Sequence, residues 1–202
     1  MKQAKPALPY LLDLLTFFVI PVFTIFLASY DSLINSNLSV VANYLGKQNA
    51  FTLWGILIIL CFYAYFHRIA SRYGLNSPAL RRLVLVSCLL LIFGITTPYL
   101  PDQFPLKAKL HVAFSFLASV CLLLCLYLQT LLLSRQKPGF FRPHFRFLNL
   151  LTVVCAALLL LIGIVSSLVE IVFTLSTAFY LRALSLTSPD LSSPYGGHPA
   201  EP

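Results

Sequence analysis

The sequence predicts an all-α protein, a polytopic transmembrane helical bundle of six spans, with five as the alternative count. Three observations carry this. First, hydrophobic residues make up 59% of the 202 and charged residues only 10%, with a mean hydropathy of +0.87; a soluble domain averages about 25% charged and needs those charges to cover its surface. Second, apolar runs alternate with short clusters of Lys and Arg, the pattern of membrane-flanking anchors. Third, Phe147 to Leu184 is a 38-residue apolar stretch broken only by Glu170 and Arg182. One straight helix of that length would run ~57 Å against a hydrocarbon core of ~30 Å. The expectation is that it folds back near Ile164-Val165-Ser166-Ser167.

The first span is read as Tyr10 to Tyr30, which contains 17 uncharged residues between Asp13 and Asp31. Pro21 falls in its middle, removes one helical hydrogen bond and is expected to kink it. Phe51 to Phe66 is the second span, Leu83 to Leu100 the third and Ala108 to Leu133 the fourth and longest. Phe147 to Val165 and Leu168 to Leu184 make the fifth and sixth, each short or tilted. Residues 1–184 thus form a single transmembrane helical domain. The Ser-, Pro- and Gly-rich residues 185–202 read as a disordered cytoplasmic tail. Lys2 and Lys5 ahead of an apolar run resemble a signal peptide, but Phe26 stands where a cut after Ala28 needs a small residue, so the run reads as an uncleaved span.

Orientation follows from the cations. With the N-terminus inside, the inner segments hold Lys2, Lys5, Arg68, Arg72, Arg81, Arg82, Arg135, Lys137, Arg142, Arg146 and Arg182, eleven of the 14. Only Lys47, Lys107 and Lys109 fall outside. This is a strong positive-inside bias, and it favours an even span count with both termini cytoplasmic in the cell membrane. The net charge of +8 is distributed as anchors, without a Gly-rich phosphate loop or a basic face on a soluble domain, so no nucleic acid is expected. Gly139-Phe140-Phe141-Arg142-Pro143-His144-Phe145-Arg146-Phe147 alternates rings with cations and reads as ordinary anchoring on an anionic leaflet. Asp13 is placed to pair with Arg182 or Arg68 as a structural contact.

Cys61, Cys88, Cys121, Cys125 and Cys155 all fall inside spans, so no outer disulfide framework is expected, and they read as small polarizable packing residues. The residues able to carry chemistry lie toward the outer face. The first outer loop, Asp31 to Asn49, is polar, almost uncharged and too long for a mere turn. The loop Thr96 to Pro105 is stiffened by Pro98, Pro101 and Pro105. His111 lies one turn into the fourth span and Glu170 about one turn into the sixth, at similar depth on one side. Ionisable groups at that depth are costly unless paired or wetted.

His111 and Glu170, with Asp102 or Asp31 close by, could therefore meet near the outer mouth and grip a lipid headgroup or pass a proton. The plainer reading is a structural bridge that fixes the packing of two helices, with no ligand at all. No metal is expected, because one His with scattered acids lacks a tight ligand pattern. Haem is not expected either, since His67 and His144 lie nearly a membrane thickness from His111. Ser166 and Ser167 read as turn residues, or as close-contact partners of Gly163. No cofactor and no catalytic residue is assigned.

A Ser/Asn-rich outer loop ending Leu45-Gly46, followed by Asn49 and Phe51, resembles the bacterial six-span membrane proteins of unknown function. The Pro98-Tyr99-Leu100-Pro101-Asp102 loop leading to His111 is similar to their third-to-fourth connection. Ser166 to Glu170 is similar to the DRAM/Frag/Sfk-type membrane proteins, whose last span begins near a Glu followed by Trp; here Ile171 follows. The resemblance implies a six-helix integral membrane protein, in a group linked to lipid handling in some eukaryotic members, and carries over His111 and Glu170 as positions. The expectation is a non-enzymatic, lipid-interacting or accessory protein, with membrane lipids as partners and a membrane-protein partner or a second copy as further candidates. A small transporter or channel subunit is the alternative.

Overall fold

The computed structural model describes residues 7–187, and Lys2, Lys5 and most of the expected disordered tail lie outside them. Among the described residues all regular structure is helical, and six helices are long and apolar enough to cross a membrane. The first is composite: α1 (Ala7–Leu14), a π-helical turn (Leu15–Val19) and α2 (Ile20–Ala28). A short helix, α3 (Leu38–Tyr44), precedes α4 (Gln48–Arg72). The remainder are α5 (Pro78–Thr96), α6 (Pro105–Gln136), α7 (Arg142–Ile162) and α8 (Ser167–Leu186).

The spans run up and down, so the described residues begin and end on one face, here called the terminal face; α3 covers the other, the capped face. The expected proline disruption takes a specific form. One residue before Pro21, the backbone widens to a π turn in which Ile20 N–H bonds Leu15 O. The turn absorbs the donor that proline lacks without breaking the helix. It also presents Thr16, fully buried, to the Tyr65 hydroxyl on α4 at 2.7 Å, and Tyr65 Oη reaches Leu12 O at 3.2 Å.

The long apolar stretch folds back where expected. Gly163 closes α7 in the left-handed region at φ +79°, and Ser166 opens α8 in extended conformation. Space around a Cβ at Gly163 is open, so its role is the turn and not close helix contact. The third span ends earlier than expected. Thr97 precedes Pro98, whose ring disfavours a helical residue before it, and Thr97 is extended, leaving Leu100 in the loop. At the other end α8 continues through Ser185 and Leu186, two residues past the expected boundary.

On the terminal face Arg182, not Arg68, takes Asp13: its Nη2 donates to Oδ2 at 2.8 Å and its Nε contacts Oδ1. The aromatic-cationic segment leading into α7 and forming its first turns is only half an anchor. Phe140 and Phe147 are exposed, but Phe141 is buried edge-on against Tyr73, and His144 meets Tyr180. α5 and α6 form the closest pair. Gly94 faces Ser115, and Ser87 Oγ donates to Ala118 O at 3.0 Å, the small-residue packing that lets membrane helices approach.

Candidate functional site

Three of the four residues singled out near the capped face converge on α3. Asn37 starts α3 as its N-cap, its side chain accepting from Val40 N–H at 3.0 Å. Leu38, Val41 and Ala42 then turn inward at i, i+3 and i+4 and are essentially fully buried. Glu170, in the first turn of α8, accepts the Leu38 N–H at 2.8 Å through Oε2. His111 bonds the next residue, with Nε2 2.7 Å from Ser39 Oγ, while Nδ1 lies 2.8 Å from Thr97 O. A carbonyl only accepts, so the neutral ring carries its proton on Nδ1 and accepts from the Ser39 hydroxyl. Asp102 holds the other end of the helix, its Oδ2 accepting from Tyr44 Oη at 3.0 Å.

His111 and Glu170 therefore do not bond each other; they hold consecutive residues of one short helix. Asp31 stays apart, exposed, with Oδ1 accepting the Ser32 N–H at 2.7 Å within its own loop. The α7–α8 turn completes the attachment: Ser167 N–H donates to Ser36 O at 2.7 Å and Leu168 N–H to Leu33 O at 2.9 Å. Two donors at the start of α8, which have no partner within that helix, are thus satisfied by the loop between α2 and α3. Ser166 and Ser167 serve this junction as buried turn residues.

The arrangement is a latch. Both nitrogens of His111 are engaged by the protein itself, and the carboxylate of Glu170 sits where α3 and α8 both begin, which the two helix dipoles favour. Removing the Glu170 acceptor should leave a buried N–H unpaired, at a cost of about 1–2 kcal/mol. The fully buried Val41, replaced by Cys, should react slowly with a membrane-impermeant maleimide in the otherwise wild-type chain. It should react several-fold faster alongside Glu170→Ala or His111→Ala, and much less so with Glu170→Gln, whose amide oxygen can still accept. Equal rates in all four chains would show that α3 is held by its apolar face alone.

Sequence reasoning missed a second polar set in the core toward the terminal face. Gln129 and Thr130 on α6 are fully buried. Gln129 Nε2 reaches Phe66 O at 3.4 Å, and the Thr130 hydroxyl pairs with that of Tyr180 on α8. The available signal was an amide inside a long apolar run. Among the described residues no group of three or more His, Cys, Asp or Glu could hold a metal ion.

The described residues also enclose a cavity of about 340 Å³ at the terminal end of α4 and α5. Its rim carries the exposed His67, Tyr63 and Arg81; its floor is the buried Phe66, Leu80 and Val84. Toward the capped face α4 and α5 pack closely, Ile95 filling the space beside Gly55. At the terminal end the connecting residues Gly74 to Ser77, with the bulky Tyr63 and Phe66, border the space between them. A narrower pocket continues the line deeper, sharing Tyr63, Phe66 and Val84 and ending at Cys88 and Leu91. No family model, curated protein or solved structure matches this chain.

Proposed function

We propose that this multi-pass membrane protein is a lipid-interacting or accessory bundle without catalytic activity of its own, lying in the cell membrane with both termini cytoplasmic. The observation that carries the reading is the contrast between its two faces. On the capped face the conspicuous polar residues are occupied by α3, so they serve as a lock for the protein's own chain. On the terminal face a cavity with a polar rim and an apolar floor lies between two membrane-length helices, the form of a site for an amphiphile. The excess of Lys and Arg on that face supports its cytoplasmic assignment, and the resemblance to DRAM/Frag/Sfk-type proteins points toward lipid handling as well.

Native mass spectrometry of the purified protein tests this. Wild type, Glu170→Ala and His111→Ala are expected to retain the same lipid, with the variants less stable to heat. A wild type that emerges free of lipid while still folded would overturn the reading. A molecule held by wild type and lost from both variants would make the capped face the binding site instead.

A further inference from the structure

We infer that the cleft between α4 and α5 is a specific site for an anionic phospholipid of the leaflet at the terminal face. The phosphate lies between His67 and Arg81, and one acyl chain runs along Phe66 and Val84 toward Leu91. This deepens the lipid-interacting reading and rests on it.

Four observations carry the assignment. The cavity grades from polar to apolar along the direction a lipid takes in the bilayer, from His67, Ser77 and Arg81 at its mouth to Phe66, Leu80 and Val84, beyond which a second, much smaller pocket leads toward Cys88 and Leu91. At about 340 Å³ it falls at the small end of ligand pockets, ~300–1,000 Å³. That is room for a headgroup, the glycerol and the start of one chain, the rest remaining in the bilayer. Its charge is one-sided: the rim holds a cation and a histidine, Arg68 and Arg82 stand one residue away, and among the described residues no Asp or Glu lines it.

The fourth observation concerns unused donors. Arg182 spends its guanidinium on Asp13, and Arg82 turns its Nε back to Pro78 O at 3.3 Å. The side chains of Arg81 and His67 make no hydrogen bond or ion pair within the described residues; His67 only stacks on Tyr63, at 6.5 Å between ring centroids. An arginine fork and an imidazole facing one cavity with free N–H groups match a phosphodiester, which offers anionic acceptors and no donor. A zwitterionic headgroup would bring its ammonium to the same cationic rim, which disfavours it.

The test uses the full chain in nanodiscs of equal parts phosphatidylglycerol and phosphatidylcholine, transferred to detergent, with retained lipid read by native mass spectrometry. Wild type is expected to retain phosphatidylglycerol in preference. Arg81→Gln and His67→Ala, both exposed positions where substitution leaves the packing intact, should each reduce that preference about fivefold. Arg82→Gln, a cation on the same turn but off the cavity, should leave it unchanged. Ala70→Phe, which fills the cavity without removing a charge, should lower total retained lipid.

Excess inorganic phosphate should not displace the lipid; displacement by phosphate alone would reassign the site to a soluble anion. If wild type retains lipid and the Arg81, His67 and Ala70 variants retain it equally, this site falls while the lipid-interacting reading stands. If wild type retains none, both fall.

Discussion

Arg182→Gln is expected to destabilise the protein more than a substitution at any of the exposed cations. The guanidinium lies 14% exposed and its partner Asp13 35% exposed, at the terminal end of two membrane-length helices that are far apart in sequence. Breaking a fully buried ion pair from one side costs about 3–5 kcal/mol, because the remaining charge loses its partner but not its desolvation. Asp13 keeps some access to water, so about 2–3 kcal/mol is expected here. In thermal unfolding in detergent, Arg182→Gln should melt well below wild type. Asp13→Asn with Arg182→Gln should recover part of the loss, because no unpaired charge is left. By contrast, Arg68→Gln should be close to neutral. A double variant no better than the single would mean that Arg182 matters through packing or through its 3.4 Å contact with Ser185 Oγ, and not through charge.

Gly94→Leu is the second large effect. A Cβ at this position would stand 2.7 Å from Ser115 Oγ and 3.5 Å from the Ser115 backbone. Rotation of the serine hydroxyl relieves the first contact, so Gly94→Ala should be tolerated. The remaining atoms of a leucine have only the α6 backbone to meet, and the helices must part. Overpacking of this kind typically costs 1–3 kcal/mol; about 2–3 kcal/mol is expected, since helix association in a membrane depends on close backbone approach. The Ser87-to-Ala118 hydrogen bond should be lost with it. Ser115→Ala should make Gly94→Ala indistinguishable from wild type and should relieve Gly94→Leu hardly at all. Rescue of the leucine variant would place the obstruction at the side chain and refute the backbone argument.

How far the fold could be read from the sequence depended on the range of the interactions involved. Span number and the reversal at Gly163 to Ser166 follow from a local mismatch between apolar length and membrane thickness, and both hold. The end of α5 was misplaced by four residues because hydropathy continues through Leu100, whereas Pro98 stops the helix by sterics that hydropathy does not register. α3 was read as loop. Its seven residues are far too few for a span, and its signature, Asn37 followed by Leu38, Val41 and Ala42, is one short apolar face inside a polar segment.

The candidate site was half legible. His111 and Glu170 stood out because ionisable side chains inside apolar runs are rare. Their partners, 72 and 132 residues away, are set by three-dimensional packing that no spacing encodes. The cleft was not legible at all. His67 and Arg81 flank a loop and look like ordinary anchors until the three-dimensional structure shows that both line one cavity.

The attachment of α3 also orders events during synthesis. Leu33, Ser36, Leu38 and Ser39 emerge early, but their partners are His111, Ser167, Leu168 and Glu170, the last three among the final helices made. A chain emerging N-terminus first must therefore hold its first connection open until the closing hairpin inserts. The donors at the start of α8 and the N–H of Leu38 then find their acceptors in one step. A chain ending before residue 167 would lack the Ser167, Leu168 and Glu170 contacts and hold this segment through His111 and Asp102 alone.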